Sequence, residues 1–188
     1  MMTYIAMLRG INVGGQKMVK MDRLRASFEA LGFEQVRTYV QSGNVVFKAG
    51  KGSPVGLTDK IEKRILRDFG FPVTVVLRTA AELKETIRGN PFLKEKGIDP
   101  TKLHVTFLSE VPASVEKLAS LDAGSDRFRH SGKEVYLHCP NGYGRSKLSN
   151  NALEKALSVG ATTRNWNTVN KLCEMSEEAP LPKSSATG

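Results

Sequence analysis

Residues 36–48 read VRTYVQSGNVVFK. Two short runs rich in β-branched and aromatic residues, VRTYV and NVVFK, are separated by only Gln41, Ser42 and Gly43. That spacing predicts a tight hairpin, with Gly43 supplying the positive φ a short turn needs. The hairpin decides the fold because of what flanks it. Upstream, TYIAML (3–8) is an apolar, β-prone run, and MDRLRASFEALG places Met21, Leu24, Phe28 and Leu31 at helical spacing before Gly32. Downstream, LTDKIEKRILRDFG sets Leu57, Ile61, Ile65, Leu66 and Phe69 on one helical face, and the strand FPVTVVLR follows. The order is β-α-β-β-α-β, the split βαβ or ferredoxin-like unit.

The second half repeats the order. TAAELKETIRG predicts a third helix, and NPFLKEKGIDP leads on to LHVTFL as a strand and PASVEKLASL as a helix. DRFRH and KEVYLHC form a hairpin around Ser131 and Gly132, and RSKLSNNALEKALS is a helix. No closing strand stands out; TTRNWNTVNKLCEM reads as a loop entering a helix, with Thr163 or Asn165 as its cap. No residue-level repeat is visible between the halves. The expectation is an α/β (α+β) protein of two ferredoxin-like (alpha-beta plait) lobes with antiparallel sheets. Residues 1–80 form the first lobe, 81–100 a connecting helix and linker, 101–175 the second lobe, and 176–188 a disordered tail.

A chain of 188 residues with 40% hydrophobic content can bury a sizeable core. Its apolar runs are far shorter than the roughly 20 residues that span a bilayer, and no basic region or cleavage site marks the N-terminus as a leader. Cys139 and Cys173 show neither disulfide-framework nor zinc spacing, which predicts buried thiols in a reducing cytoplasm. The net charge is +9, and residues 1–50 and 141–173 together hold twelve basic residues against four acidic ones. Those segments are also rich in Gly, Asn, Ser and Thr. The expected partner is therefore anionic, a phosphate-bearing small molecule or a nucleic acid.

Four motifs carry candidate contacts. LRGINVGGQKMVKM (8–21) is a near miss for a P-loop: Gly10 and Gly15 have the spacing, but Lys17 is displaced by Gln16, and Met18 replaces the hydroxyl. What survives is an anion nest or an ordinary connection, with Arg9, Asn12, Gly14, Gly15, Lys17 and Lys20 as candidates. The hairpin tip offers Gln41, Ser42 and Asn44. NGYGRSKLSN (141–150) places Tyr143, Arg145, Ser146 and Lys147 at an expected helix start, where an anion would offset their charge. A Ser146–Lys147 nucleophile pair is disfavoured, because adjacent helical residues point about 100° apart. ATTRNWNTVNK supplies Arg164 as a phosphate clamp, Asn165 as a polar contact and Trp166 as a stacking platform. His104, His130 and His138 have no carboxylate pattern nearby. The motif loops contain no Asp, Glu, His or Cys, so no catalytic residue, metal or cofactor is assigned.

LRGINVGG, TYVQSGNVVF, GYGRSKLSN and ATTRNWNTV together resemble the bacterial family catalogued as domain of unknown function 1697, over Thr3 to Met175. The resemblance implies a two-lobed α/β structure with these motifs as its hallmark, and no activity. Three functions stay open: a binding module whose cleft between the lobes takes an anionic ligand, an enzyme on a phosphorylated or nucleotide-like molecule, and a structural or partner-binding protein. In the last case Arg164 and Asn165 would be buried across the lobe interface.

Overall fold

The computed structural model describes residues 1–50 and 52–178. The first lobe runs β1 (Met2–Leu8), α1 (Met21–Glu29), β2 (Glu34–Tyr39), β3 (Asn44–Ala49), α2 (Pro54–Phe69) and β4 (Val75–Thr79). Its strands form one antiparallel sheet in the order β2-β3-β1-β4, the ferredoxin-like arrangement expected. β1 is one of the two central strands and is buried on both faces, which is why TYIAML reads as a nearly continuous apolar run. Tyr4, Ala6 and Leu8 face the outer core under α1 and α2, while Ile5 and Met7 face inward. At the hairpin, Gly43 has φ +79°, and a Cβ there would lie 2.5 Å from Ile11 Cδ1. The turn therefore needs glycine for both its φ and its close packing.

The second lobe runs β5 (Leu103–Leu108), β6 (Arg127–Ser131), β7 (Glu134–His138), α4 (Asn150–Leu157), β8 (Ala161–Asn165) and α5 (Trp166–Glu177), with the sheet order β6-β7-β5-β8. The closing strand is ATTRN, read above as a loop. Its polar residues disguise a strand that is buried at Ala161, Thr162 and Arg164. The helix expected over 112–121 is only a 3-10 turn, Glu116–Ser120, with Ser114 Oγ accepting from the Glu116 N–H. The helix expected from Arg145 starts at Asn150, because Ser146 is extended (φ −71°, ψ 139°) and Ser149 Oγ caps the Ala152 N–H at 3.2 Å. Of the two cap candidates, Asn165 caps α5, accepting from the Thr168 N–H at 2.8 Å. α5 continues through Ser176 and Glu177, two residues assigned above to the tail; 179–188 lie outside the described residues.

A shared inner core joins the lobes. α3 (Ala80–Arg88), which falls in the expected linker, packs against α5, and both helices lie on inward faces of the sheets. Ile5, Met7 and Val76 meet Leu103, Val105, Phe107 and Trp166 there. Each large apolar side chain fully buried contributes roughly 1.5–3 kcal/mol, so this layer binds the halves into one cooperative unit.

Register exposes the repeat that the sequence hides. Tyr4 pairs with Thr79 and Leu8 with Val75, as His104 pairs with Asn165 and Leu108 with Ala161. This equates Arg78 with Arg164, and the first residue of β3, Asn44, with the first of β7, Glu134. The two arginines cross reciprocally. Arg78 donates to Glu134 Oε1 (2.9 Å) and the Leu108 carbonyl (2.9 Å), and Arg164 donates to Asn44 Oδ1 (2.5 Å) and the Leu8 carbonyl (2.8 Å). Each is followed by an N-cap, Thr79 or Asn165.

Candidate functional site

The four motifs meet at the Arg164 junction. Asn12 Nδ2 donates to the Gln41 carbonyl (2.7 Å) and the Leu8 N–H to the Gly43 carbonyl (2.9 Å), tying the opening loop to the hairpin. Arg9 reaches Glu154 (2.7 Å) and Asn151 (2.5 Å) on α4. Tyr143 donates to Thr163 Oγ1 (3.1 Å), joining the third motif to the fourth. Arg164 completes the network, with all five N–H groups engaged: Nε to Asn44, Nη1 to Thr162 and Thr163, Nη2 to Leu8 and Ser42. It is only 7% exposed, and burial pushes its pKa down to about 10. The junction is thus a fastening between lobes. Arg164 and the fully buried Asn44 have no donors left for a ligand. Trp166, 6% exposed, anchors the inner core and offers no face for a base to stack on. Asn165 is exposed rather than buried across the interface, and its Oδ1 caps α5.

The opening loop is a small hairpin rather than an anion nest. Gly14 and Gly15 have φ +57° and +73°, the combination a type I′ turn demands, and the Gln16 N–H returns to the Val13 carbonyl at 3.0 Å. Asn12 braces it against Val19 in both directions, and Lys17 Nζ donates to the Pro72 carbonyl at 2.9 Å. In the third motif Ser146 Oγ accepts from the Leu148 N–H, and Lys147 is paired with Asp122, so no Ser–Lys dyad forms. Arg145 and Lys147 border a recess of about 230 Å³ that also holds the Asp126 carboxylate. Burial keeps His104 below its usual pKa and pushes the Cys139 thiol up to about 11, which removes it as a nucleophile. Among the described residues no group of three or more His, Cys, Asp or Glu is placed to hold a metal ion, and no helix is long and apolar enough to cross a membrane.

A more open basic recess lies beside the first two motifs. Met18 to Arg23 and Gln41 line about 560 Å³ at the start of α1. Lys20 is the N-cap and supplies no side-chain acceptor, whereas Ser53, Thr79, Ser149 and Asn165 cap the four other α-helices. The first N–H groups of α1 therefore lack an N-cap side chain, with Lys20, Arg23 and the first-turn carboxylate of Asp22 beside them. Arg23 is held by the Asp68 carbonyl (3.1 Å) and the Phe69 ring (5.1 Å). The groove between the lobes opens at the other junction, around Arg78, and no motif loop lines it. Arg23, Arg78 and Tyr4 escaped the sequence reading; the signal available for Arg78 was the shared pattern of arginine before an N-cap, Arg78-Thr79 and Arg164-Asn165.

A family model described as protein of unknown function (DUF1697) matches residues 1–136, so the motifs NGYGRSKLSN and ATTRNWNTV fall beyond the matched span. Among solved structures, a conserved bacterial protein from Streptococcus pneumoniae is similar, with 21% identity, a TM-score of 0.67, and coverage of 94% of this chain and 99% of that one. At that identity the likeness is one of fold. No curated protein matches the chain.

Proposed function

The chain belongs to the DUF1697 family, and since membership carries no activity we propose, from its geometry, that it is a binding protein for a phosphate-bearing ligand. One observation carries the reading: α1 begins in a basic recess without a side-chain cap. A phosphate oxygen accepts the uncapped N–H groups, Lys20 and Arg23 supply charge, and Gln41 offers an amide to the rest of a nucleotide or nucleic-acid end. The site is displaced from the expected inter-lobe cleft onto the first lobe. Asn12 braces it, since its side-chain amide donates to both the Val19 and the Gln41 carbonyl. A structural reading has its own support in the Arg164 network and accounts for that network without a ligand.

Lys20→Asp separates the two. It caps α1 and raises stability by about 1 kcal/mol, yet places a carboxylate where the phosphate would sit. Thermal shift with phosphate, ATP and a short oligonucleotide at about 50 and 200 mM salt reads the outcome. Binding to the wild type that weakens with salt and is lost in Lys20→Asp supports the proposal. No response to any of these ligands at low salt leaves only the structural role.

A further inference from the structure

The two lobe junctions are equivalent in position but not in content. At the Arg164 junction, Arg9 donates to Asn151 Oδ1 at 2.5 Å and pairs with Glu154 at 2.7 Å. Glu154 also accepts from the Ala161 N–H at 3.0 Å, at the start of β8. At the Arg78 junction, the matching acceptor of the Val75 N–H is Glu62, at 2.8 Å. Glu62 therefore stands where Glu154 stands, and Asp59, three residues earlier, where Asn151 stands. The counterpart of Arg9 is Ser109: the Arg9 N–H donates to the Thr74 carbonyl as the Ser109 N–H donates to that of Gly160. The second junction thus keeps the acceptor and lacks the guanidinium.

The space left is open. A groove of about 320 Å³ between the lobes adjoins a second of about 400 Å³, and both touch Arg78, Glu82 and Lys133. Its basic groups are engaged, Arg78 with Glu134 and Lys133 with Glu82. Asp59 and Glu110, one on each lobe, line it with no hydrogen bond or ion pair among the described residues. Tyr4 lines it too; it is 2% exposed, and its hydroxyl has no hydrogen-bond partner among the described residues. Val55, Val75 and Leu77 give the groove apolar surface. In a molecule of net charge +9, this is a place where the free charges are negative.

We propose that the groove binds a small organic cation, a guanidinium on a short aliphatic chain, in the place that Arg9 fills at the other junction. Asp59 accepts from the guanidinium, Tyr4 supplies the unpartnered hydroxyl of a largely buried side chain, Glu110 closes the site from the second lobe, and the aliphatic chain lies along Val55 and Leu77. The site and the charge of its ligand are opposite to those of the phosphate recess, so either proposal stands if the other fails.

The test is calorimetric titration with agmatine, with butylamine and butyrate as comparisons. Saturable agmatine binding is expected, with butylamine weaker and butyrate silent. Asp59→Asn weakens it about tenfold with an unchanged melting temperature, and Tyr4→Phe weakens it several-fold. Ser109→Arg rebuilds the filled junction from within the chain and abolishes binding, although it gives up the hydrogen bond that Ser109 Oγ accepts from the Gly160 N–H. The proposal is overturned if agmatine shows no saturable binding to the wild type, or binds Asp59→Asn and Ser109→Arg as it binds the wild type.

Discussion

Arg164 shows what one residue does in this fold. Its guanidinium is buried without a carboxylate and is satisfied entirely by neutral oxygens. Arg164→Met strands those acceptors and is expected to cost about 3 kcal/mol; Arg78→Met leaves Glu134 unpaired as well and should cost more, about 3–5 kcal/mol. Denaturant midpoints of the two variants check the order. The sequence offered Arg164 as a basic residue in a polar loop, and nothing local distinguishes a ligand clamp from a fastening whose partners lie 120 and 156 residues away. His104 carries a second prediction. Burial, outweighing the Lys102 carbonyl and the Asp126 charge, holds its imidazole below the usual 6.5. The unfolded chain therefore binds a proton near pH 6.5 that the folded chain takes up only at lower pH. Stability is full above that pH and falls as pH drops below it. His104→Gln should flatten the loss seen by thermal melting as pH falls below 6.5; Glu82, where burial is outweighed by the Lys133 and Thr79 hydrogen bonds so that its carboxyl stays below the usual 4.5, adds its own loss only below that pH.

Elements were legible where periodicity and caps agree. The apolar face from Leu57 to Phe69 with Gly70 after it marks α2, and Gly70 is left-handed at φ +81°; the first turn from Pro54, capped by Ser53, lies upstream of the run that reads as helix. β8 was lost because, apart from Ala161, its buried positions are Thr162 and Arg164, residue types that enter an interior only when the rest of the molecule supplies partners. The hairpin β2–β3 carries its own test. Val40 sits at φ +51°, a conformation costly for a β-branched residue. Val40→Asn should gain about 1 kcal/mol. Gly43→Ala should lose about 2 kcal/mol or more, since the new Cβ meets Ile11. Opposite shifts in melting temperature from residues three apart would confirm that strain is localised at this turn.

At the scale of the whole molecule, the two-lobe order was readable, but the union of the lobes was not, because the inner core is assembled from single faces of many elements. Residues 1–90 alone would leave Ile5, Met7, Val46 and Val76 with only α3 over them, without α5 and the second sheet. That fragment should fail to give a cooperative melt, whereas the full chain should show one transition by calorimetry. The candidate site followed the same logic. Lys20 and Gln41 were visible as polar loop residues, while the missing cap that gives them meaning emerges only at the start of α1, which Lys20 introduces and beside which the hairpin tip brings Gln41. The reciprocal arginines also set an order of events during synthesis. Leu8, Ser42 and Asn44 emerge from the ribosome more than a hundred residues before Arg164, so the inner face of the first lobe stays incompletely covered until β8 and α5 arrive. A nascent chain stalled before β8 is the form of this protein a chaperone would hold.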